Sequence, residues 1–155
     1  MKKSSRLSVA LHAMVHLHNQ PTEALTSAVL AECLMTNPVV IRRVLGALRE
    51  ADLVGSSKGH NGGWLLARPA AEITLRQIYT ALGENFLIRT ESDPGDHHCA
   101  IVRKVDQVMG DFLADAEALL AARLERVTLA DIARDATAAH LPLPPAKSFG
   151  THHHE

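Results

Sequence analysis

Asn37-Pro38 is followed by one helical repeat and then, without a spacer, by a glycine-rich hairpin pattern, and few folds accommodate that succession. Asn is a preferred N-cap, and Pro suits the first helical position, where its missing N–H costs nothing. Behind this start, Val40, Ile41, Val44, Leu45 and Leu48 recur at helical spacing, while Arg42, Arg43, Arg49 and Glu50 fall elsewhere on the helix. After Ala51-Asp52 the pattern changes. Residues 53–57 read as a short strand, 58–63 as a loop and 64–67 as the returning strand, which Arg68-Pro69 ends. Asn61-Gly62-Gly63 supplies the positive-φ positions of a hairpin tip.

The flanking segments complete a layout. Residues 5–19 read as a first helix with an apolar stripe of Leu7, Ala10, Leu11, Met14, Val15 and Leu17, stopped by Gln20-Pro21. A short second helix follows Leu25, with Thr26 or Ser27 as its N-cap, and Met35-Thr36 turns the chain. Helix, short helix, turn, capped helix and hairpin make a winged helix-turn-helix. Aromatic residues are only 3% of the chain, so its core must be aliphatic. Thr74 caps a further helix to about Leu82, with Ile78, Tyr79 and Leu82 inward and Gly83 as its end.

Residues 84–98, centred on Asp93-Pro94-Gly95-Asp96, read as a linker. From about Cys99 to Val127 runs the longest periodic segment: Val102, Val105, Val108/Met109, Phe112, Ala116, Leu119/Leu120 and Leu124. Such a helix spans about 40 Å, too long to bury against a small domain, so its stripe calls for a second copy. Thr128-Leu129-Ala130-Asp131 begins one more capped turn. The expected fold is mainly α with a small β-hairpin wing, divided into a winged helix-turn-helix domain (1–83), a linker (84–98), a long dimerisation helix with a short following helix (99–135) and a disordered tail (136–155).

Charge is unevenly spread over the 155 residues. The formal total is -1, yet residues 1–68 carry eight Lys/Arg against four acids, and the remainder is correspondingly acidic. A basic front half points to a polyanionic partner, a nucleic acid. There is no secretory h-region and no membrane-length apolar run, so the expected location is the cytoplasm with no membrane partner. Two cysteines without CxxC indicate neither a disulfide framework nor a thiolate zinc site. Walker, GxSxG, HExxH and dinucleotide signatures are missing, and no enzymatic activity or cofactor is expected.

The run from Leu48 to Pro69, LREADLVGSSKGHNGGWLLARP, resembles the wing signature of the Rrf-two family of bacterial winged-helix transcription regulators, the group of IscR, NsrR and CymR. Val9-Ala10-Leu11-His12-Ala13-Met14, Glu72-Ile73-Thr74-Leu75 and Thr128-Leu129-Ala130-Asp131 support the resemblance, which covers about residues 4–134. It implies a homodimer joined through the long helix, two DNA-binding heads on a palindromic operator in double-stranded DNA, and repression. Many sensing members hold an iron–sulfur cluster on three cysteines between the fourth helix and the dimer helix. Only Cys99 stands there, so the chain resembles the cluster-lacking branch. Asp52 replaces a common glycine, Lys58 a common arginine and Trp64 a common tyrosine.

Candidate DNA contacts follow from chemistry. Asn37, Val39, Arg42 and Arg43 lie at the start of the expected recognition helix, where Arg suits guanine, Asn adenine and Val a thymine methyl. Lys58, His60 and Asn61 stand beside glycines that let the wing backbone approach phosphate or minor groove. Thr26, Ser27 and Ser8 suit phosphates, the first two serving equally as helix caps, and Trp64 reads as a packed residue at the wing base. Val105, Met109, Phe112 and Leu119 are the expected dimer seam. Two alternatives remain: a winged-helix protein–protein interaction module, and a metal- or redox-sensing regulator using His12, His97, His98 and Cys99. The signal, a small molecule or a redox change, is not encoded in any motif, and neither is the operator.

Overall fold

Four of the helices start where a side chain accepts one of the otherwise unpartnered N–H groups of the first turn. The computed structural model describes residues 6–60, 62–83 and 99–137. Helix α1 is Arg6–Asn19, α2 Ser27–Cys33 and α3 Pro38–Glu50; strands β1 (Val54–Ser57) and β2 (Gly63–Leu66) follow. A 3-10 turn at Ala70–Glu72 leads to α4 (Leu75–Ala81); beyond residues 84–98 come α5 (Ala100–Glu125) and α6 (Leu129–Thr137). Thr26 caps α2 by accepting from Val29 N–H, and Asn37 caps α3 by accepting from Val39 N–H at 2.8 Å. Thr74 and Gln77 form a reciprocal capping box on α4. Asp131 and Thr128 do the same for α6, with the Thr128 hydroxyl also donating to the carboxylate.

The core is aliphatic, as the composition requires, with Trp64 as its one aromatic member among the described residues. Met14 and Leu17 of α1 meet Leu30 of α2, and Ile41, Leu45 and Leu48 of α3, all essentially without solvent contact. Burying each such side chain contributes about 1.5–3 kcal/mol. The buried face of α1 is rotated from the expected stripe. Val9, Ala10, Ala13, Met14 and Leu17 are buried, while Leu7, Leu11 and Val15 only flank the core. Val9 and Ala13 lie one turn apart beside Ala10 and Met14, and small alanines let α1 approach its neighbours closely. Val40 is exposed, because the inward face of α3 is already supplied by Ile41, Val44, Leu45 and Leu48.

Strands β1 and β2 pair antiparallel with Val54 opposite Leu66 and Ser57 opposite Gly63. Residue 25 adds a third partner: Leu25 N–H donates to Trp64 carbonyl at 3.1 Å, and Trp64 N–H to Leu25 carbonyl at 2.9 Å. This places Gly63 within the strand rather than at the tip. A Cβ there would lie 2.7 Å from the Leu25 carbonyl oxygen, so close backbone approach is what requires glycine.

The end of the long helix returns to the head. Leu75 N–H donates to Val127 carbonyl and Leu129 N–H to Ile73 carbonyl, both at 2.8 Å. Helix α6 then packs against α1, with Leu129 in the head's core and Ala133 buried. The capped turn expected after Thr128 is a helix reaching Thr137 that packs with the head. Of the expected tail 136–155, Ala136 and Thr137 belong to α6, and 138–155, like the linker 84–98, lies outside the described residues. Among the described residues, no helix is long and apolar enough to cross a membrane.

Two helix ends close with a non-glycine residue in the left-handed region. At the end of α3, Asp52 N–H donates to Arg49 carbonyl and Leu53 N–H to Leu48 carbonyl, the Schellman pattern, with Asp52 at φ +56°. Met35 does the same after α2 at φ +49°. Asp tolerates this backbone better than most residues but less well than glycine. Asp52→Gly is expected to raise the unfolding free energy by about 0.5–1 kcal/mol, the relief of strain exceeding the added unfolded-chain entropy. The shift in urea midpoint at unchanged slope measures it.

Candidate nucleic-acid interface

The buried face of α3 determines what its other face can present. With Ile41, Val44, Leu45 and Leu48 locked inward, Val39, Arg42 and Arg43 share an outward edge at spacings of three and four, and all three are exposed. Asn37 is exposed at the helix start. Its Oδ1 is engaged by Val39 N–H, so two-point pairing with adenine through both amide atoms would require release of the cap. The Asn37 Nδ2 group is the part not used in capping.

The wing is held by a chain of side chains running across three elements. Trp64 Nε1 donates to Ser27 Oγ at 2.9 Å, joining β2 to the first turn of α2. The Arg49 guanidinium lies 5.7 Å from the Trp64 ring centroid and donates to Ser56 Oγ at 3.2 Å, joining the last turn of α3 to β1. Trp64 is thus a packed residue at the wing base, as its position suggested. Arg49, placed on the helix without a role by the sequence pattern, is the residue that reasoning missed. No local motif marks it, because its partners lie on strands whose position depends on the turn at Asp52.

Beyond this base the hairpin narrows to a polar tip. Ser57 Oγ accepts from Gly63 N–H, and Gly62 N–H donates to Gly59 carbonyl at 2.9 Å, with Gly59 at φ +110°. Lys58 and His60 are exposed there; Asn61 lies outside the described residues. Thr26 is exposed with its hydroxyl oxygen committed to the cap, and Ser27 is half-buried with its oxygen accepting from Trp64. Both hydroxyls keep their O–H hydrogen for donation.

Helix α5 presents the expected seam without a partner among the described residues. Only Leu124 among its residues is buried, while Phe112 is 64% and Leu119 76% exposed, with Val105 and Met109 also exposed. Of the metal candidates, His12 and Cys99 lie among the described residues. His12 is exposed, and its Nδ1 donates to the Ser8 carbonyl one turn earlier at 2.7 Å. His97 and His98 lie outside the described residues. Among the described residues no three His, Cys, Asp or Glu side chains are grouped as metal ligands require.

Comparison with known proteins agrees with this architecture. The Rrf2 family profile, described as an iron-dependent transcriptional regulator, matches residues 3–135. The HTH-type regulator YwnA of Bacillus subtilis is 28% identical over 132 residues, covering 83% of this chain and 95% of YwnA. Among solved structures, IscR of T. potens superposes with a TM-score of 0.67 at 24% identity, covering 92% of this chain and 93% of IscR. CymR of B. subtilis gives a TM-score of 0.58 at 21% identity, covering 87% of this chain and 98% of CymR. These two likenesses establish the fold.

The profile's description mentions iron, and a cluster held by three thiolates is the arrangement to test against this chain. Its two cysteines are Cys33, half-buried in α2, and Cys99, exposed at the N-cap of α5. Three thiolates from one chain cannot be drawn from them, so the residues do not fit a cluster of that kind. The two thiols are also poised oppositely. The Val102 and then Ile101 N–H groups at the start of α5 lower the Cys99 pKa, whereas burial, followed by the Glu32 charge, raises that of Cys33. Alkylation by iodoacetamide is therefore expected to switch on at lower pH for Cys99, measured in Cys33→Ser, than for Cys33, measured in Cys99→Ser. Coincident pH profiles would remove the helix-terminus effect.

Proposed function

The chain belongs to the Rrf2 family of transcriptional regulators, and on that premise we propose that it represses transcription by binding a palindromic operator as a homodimer. The observation that carries this reading is the exposed Val39, Arg42 and Arg43 edge of α3, held beside a wing that Trp64, Ser27 and Arg49 fasten to the same head. In this reading α3 enters the major groove with its N-terminal turn, and Arg42 and Arg43 reach guanine edges or phosphates. Lys58 and His60 at the wing tip follow the neighbouring backbone or minor groove. Thr26 and Ser27 donate their free O–H to phosphate while keeping their structural bonds.

The seam on α5 supplies the second head. A stripe of Val105, Met109, Phe112 and Leu119 repeats near every half-heptad, which is the pattern of a paired helix rather than of a solvated one. Two heads related by a twofold axis read an inverted repeat, with half-sites separated by a helical turn of DNA or a multiple of it.

Selection from a random duplex pool yields the operator on which two variants are then decisive. Arg42→Ala is expected to cost about 1–3 kcal/mol and to relax preference at one base position if it reads a base. Uniform weakening on all duplexes assigns it to phosphate instead. Phe112→Asp is expected to give monomers in sedimentation and to weaken operator binding. A dimer that persists refutes the α5 seam.

A further inference from the structure

A cleft of about 360 Å³ opens where the base of the wing meets α4 and the end of α5. Leu53 and Ala81 give it an apolar side, Thr80 a hydroxyl, and Arg68, Arg76 and Glu125 its charges. Arg76 is partnered: its Nη1 donates to Glu125 Oε2 at 2.6 Å, with both side chains about half exposed. Arg68 differs. Its Nε is shielded from solvent and has no acceptor among the described residues, an arrangement that is costly for a guanidinium N–H. Among the described residues lining it, two guanidinium groups against one carboxylate leave a single positive charge in excess.

We infer that this cleft is a binding site for a small organic monocarboxylate, the anion seated on Arg68 and Arg76 and a short aliphatic body lying against Leu53 and Ala81. Guanidinium forks match carboxylate oxygens in pairs. One excess charge matches a monoanion, and the apolar side disfavours a phosphate, whose remaining oxygens would face Leu53 without donors. An arriving carboxylate competes with Glu125 for Arg76. That ion pair joins α4 to the last turn of α5, and Arg68 directly follows the exit of β2, so the occupant touches both the wing base and the long helix. Its consequence for DNA rests on the regulator reading above, whereas the site itself is tested on the free protein.

The test is a titration of the full chain, labelled with nitrogen-15, with isovalerate, its neutral isostere isovaleramide and inorganic phosphate. Isovalerate is expected to give saturable amide shifts centred on Thr80 and Ala81, with isovaleramide at least about tenfold weaker. Glu125→Gln frees Arg76 and is expected to tighten isovalerate by about five- to tenfold. Arg68→Gln removes the saturable shifts. Thr80→Trp blocks the rim with both arginines retained, and it serves should Arg68→Gln fail to fold. Lack of saturation by about 50 mM, equal binding of the amide, phosphate bound at least as tightly, or no gain in Glu125→Gln would each overturn the site.

Discussion

Trp64 binds the head together from both its backbone and its indole. The backbone exchanges two hydrogen bonds with Leu25, the indole N–H reaches Ser27, and the ring face receives Arg49. A two-stranded hairpin is marginal by itself in water. This one gains its position from contacts at its base, on both sides, to the segments that lead into and out of the helix-turn-helix. The wing and α3 are therefore fastened to each other by side chains of both. Gly63 belongs to the same constraint, since any Cβ there would push β2 off Leu25.

The second organising contact lies at the other end of the chain. Residues 73–75 and 127–129 pair through Thr74 and Thr128, and α6 inserts Leu129 into the core. The long helix is thereby anchored at its C-terminal end, while most of its length carries exposed apolar side chains. The helix is thus fixed to the head at one end, and among the described residues nothing covers the apolar stripe along the rest of its length. Arg76 and Glu125 reinforce that anchor from the surface, where an isolated exposed pair contributes little to stability. Its interest is that a competing anion can undo it at small cost.

Much of the site was visible in residue order because it depended on local chemistry. Asn37-Pro38, Thr74 with Gln77, and Thr128 with Asp131 act within three residues of themselves, and they cap helices as their types require. Arg42 and Arg43 were legible as an exposed pair because their helix has a strict apolar period. Arg49 was not, since its role comes from a strand that folds back upon it. Asn37 shows the reverse: its type suggested a base contact, and its geometry commits one amide oxygen to the backbone.

The resemblance to a regulator family and the order of elements came from sequence, as did the aliphatic core, the bare stripe on the long helix and the missing cluster ligands. These are properties of composition, periodicity and residue identity, and they hold whatever the elements do in space. Tertiary structure decided which face of α1 is buried, why position 63 is glycine, that α6 belongs to the head, and that Arg68 and Arg76 share a cleft. Each of those depends on backbones or side chains distant in sequence coming within a few ångströms. Periodicity sets which residues share a face, but packing alone decides what that face meets.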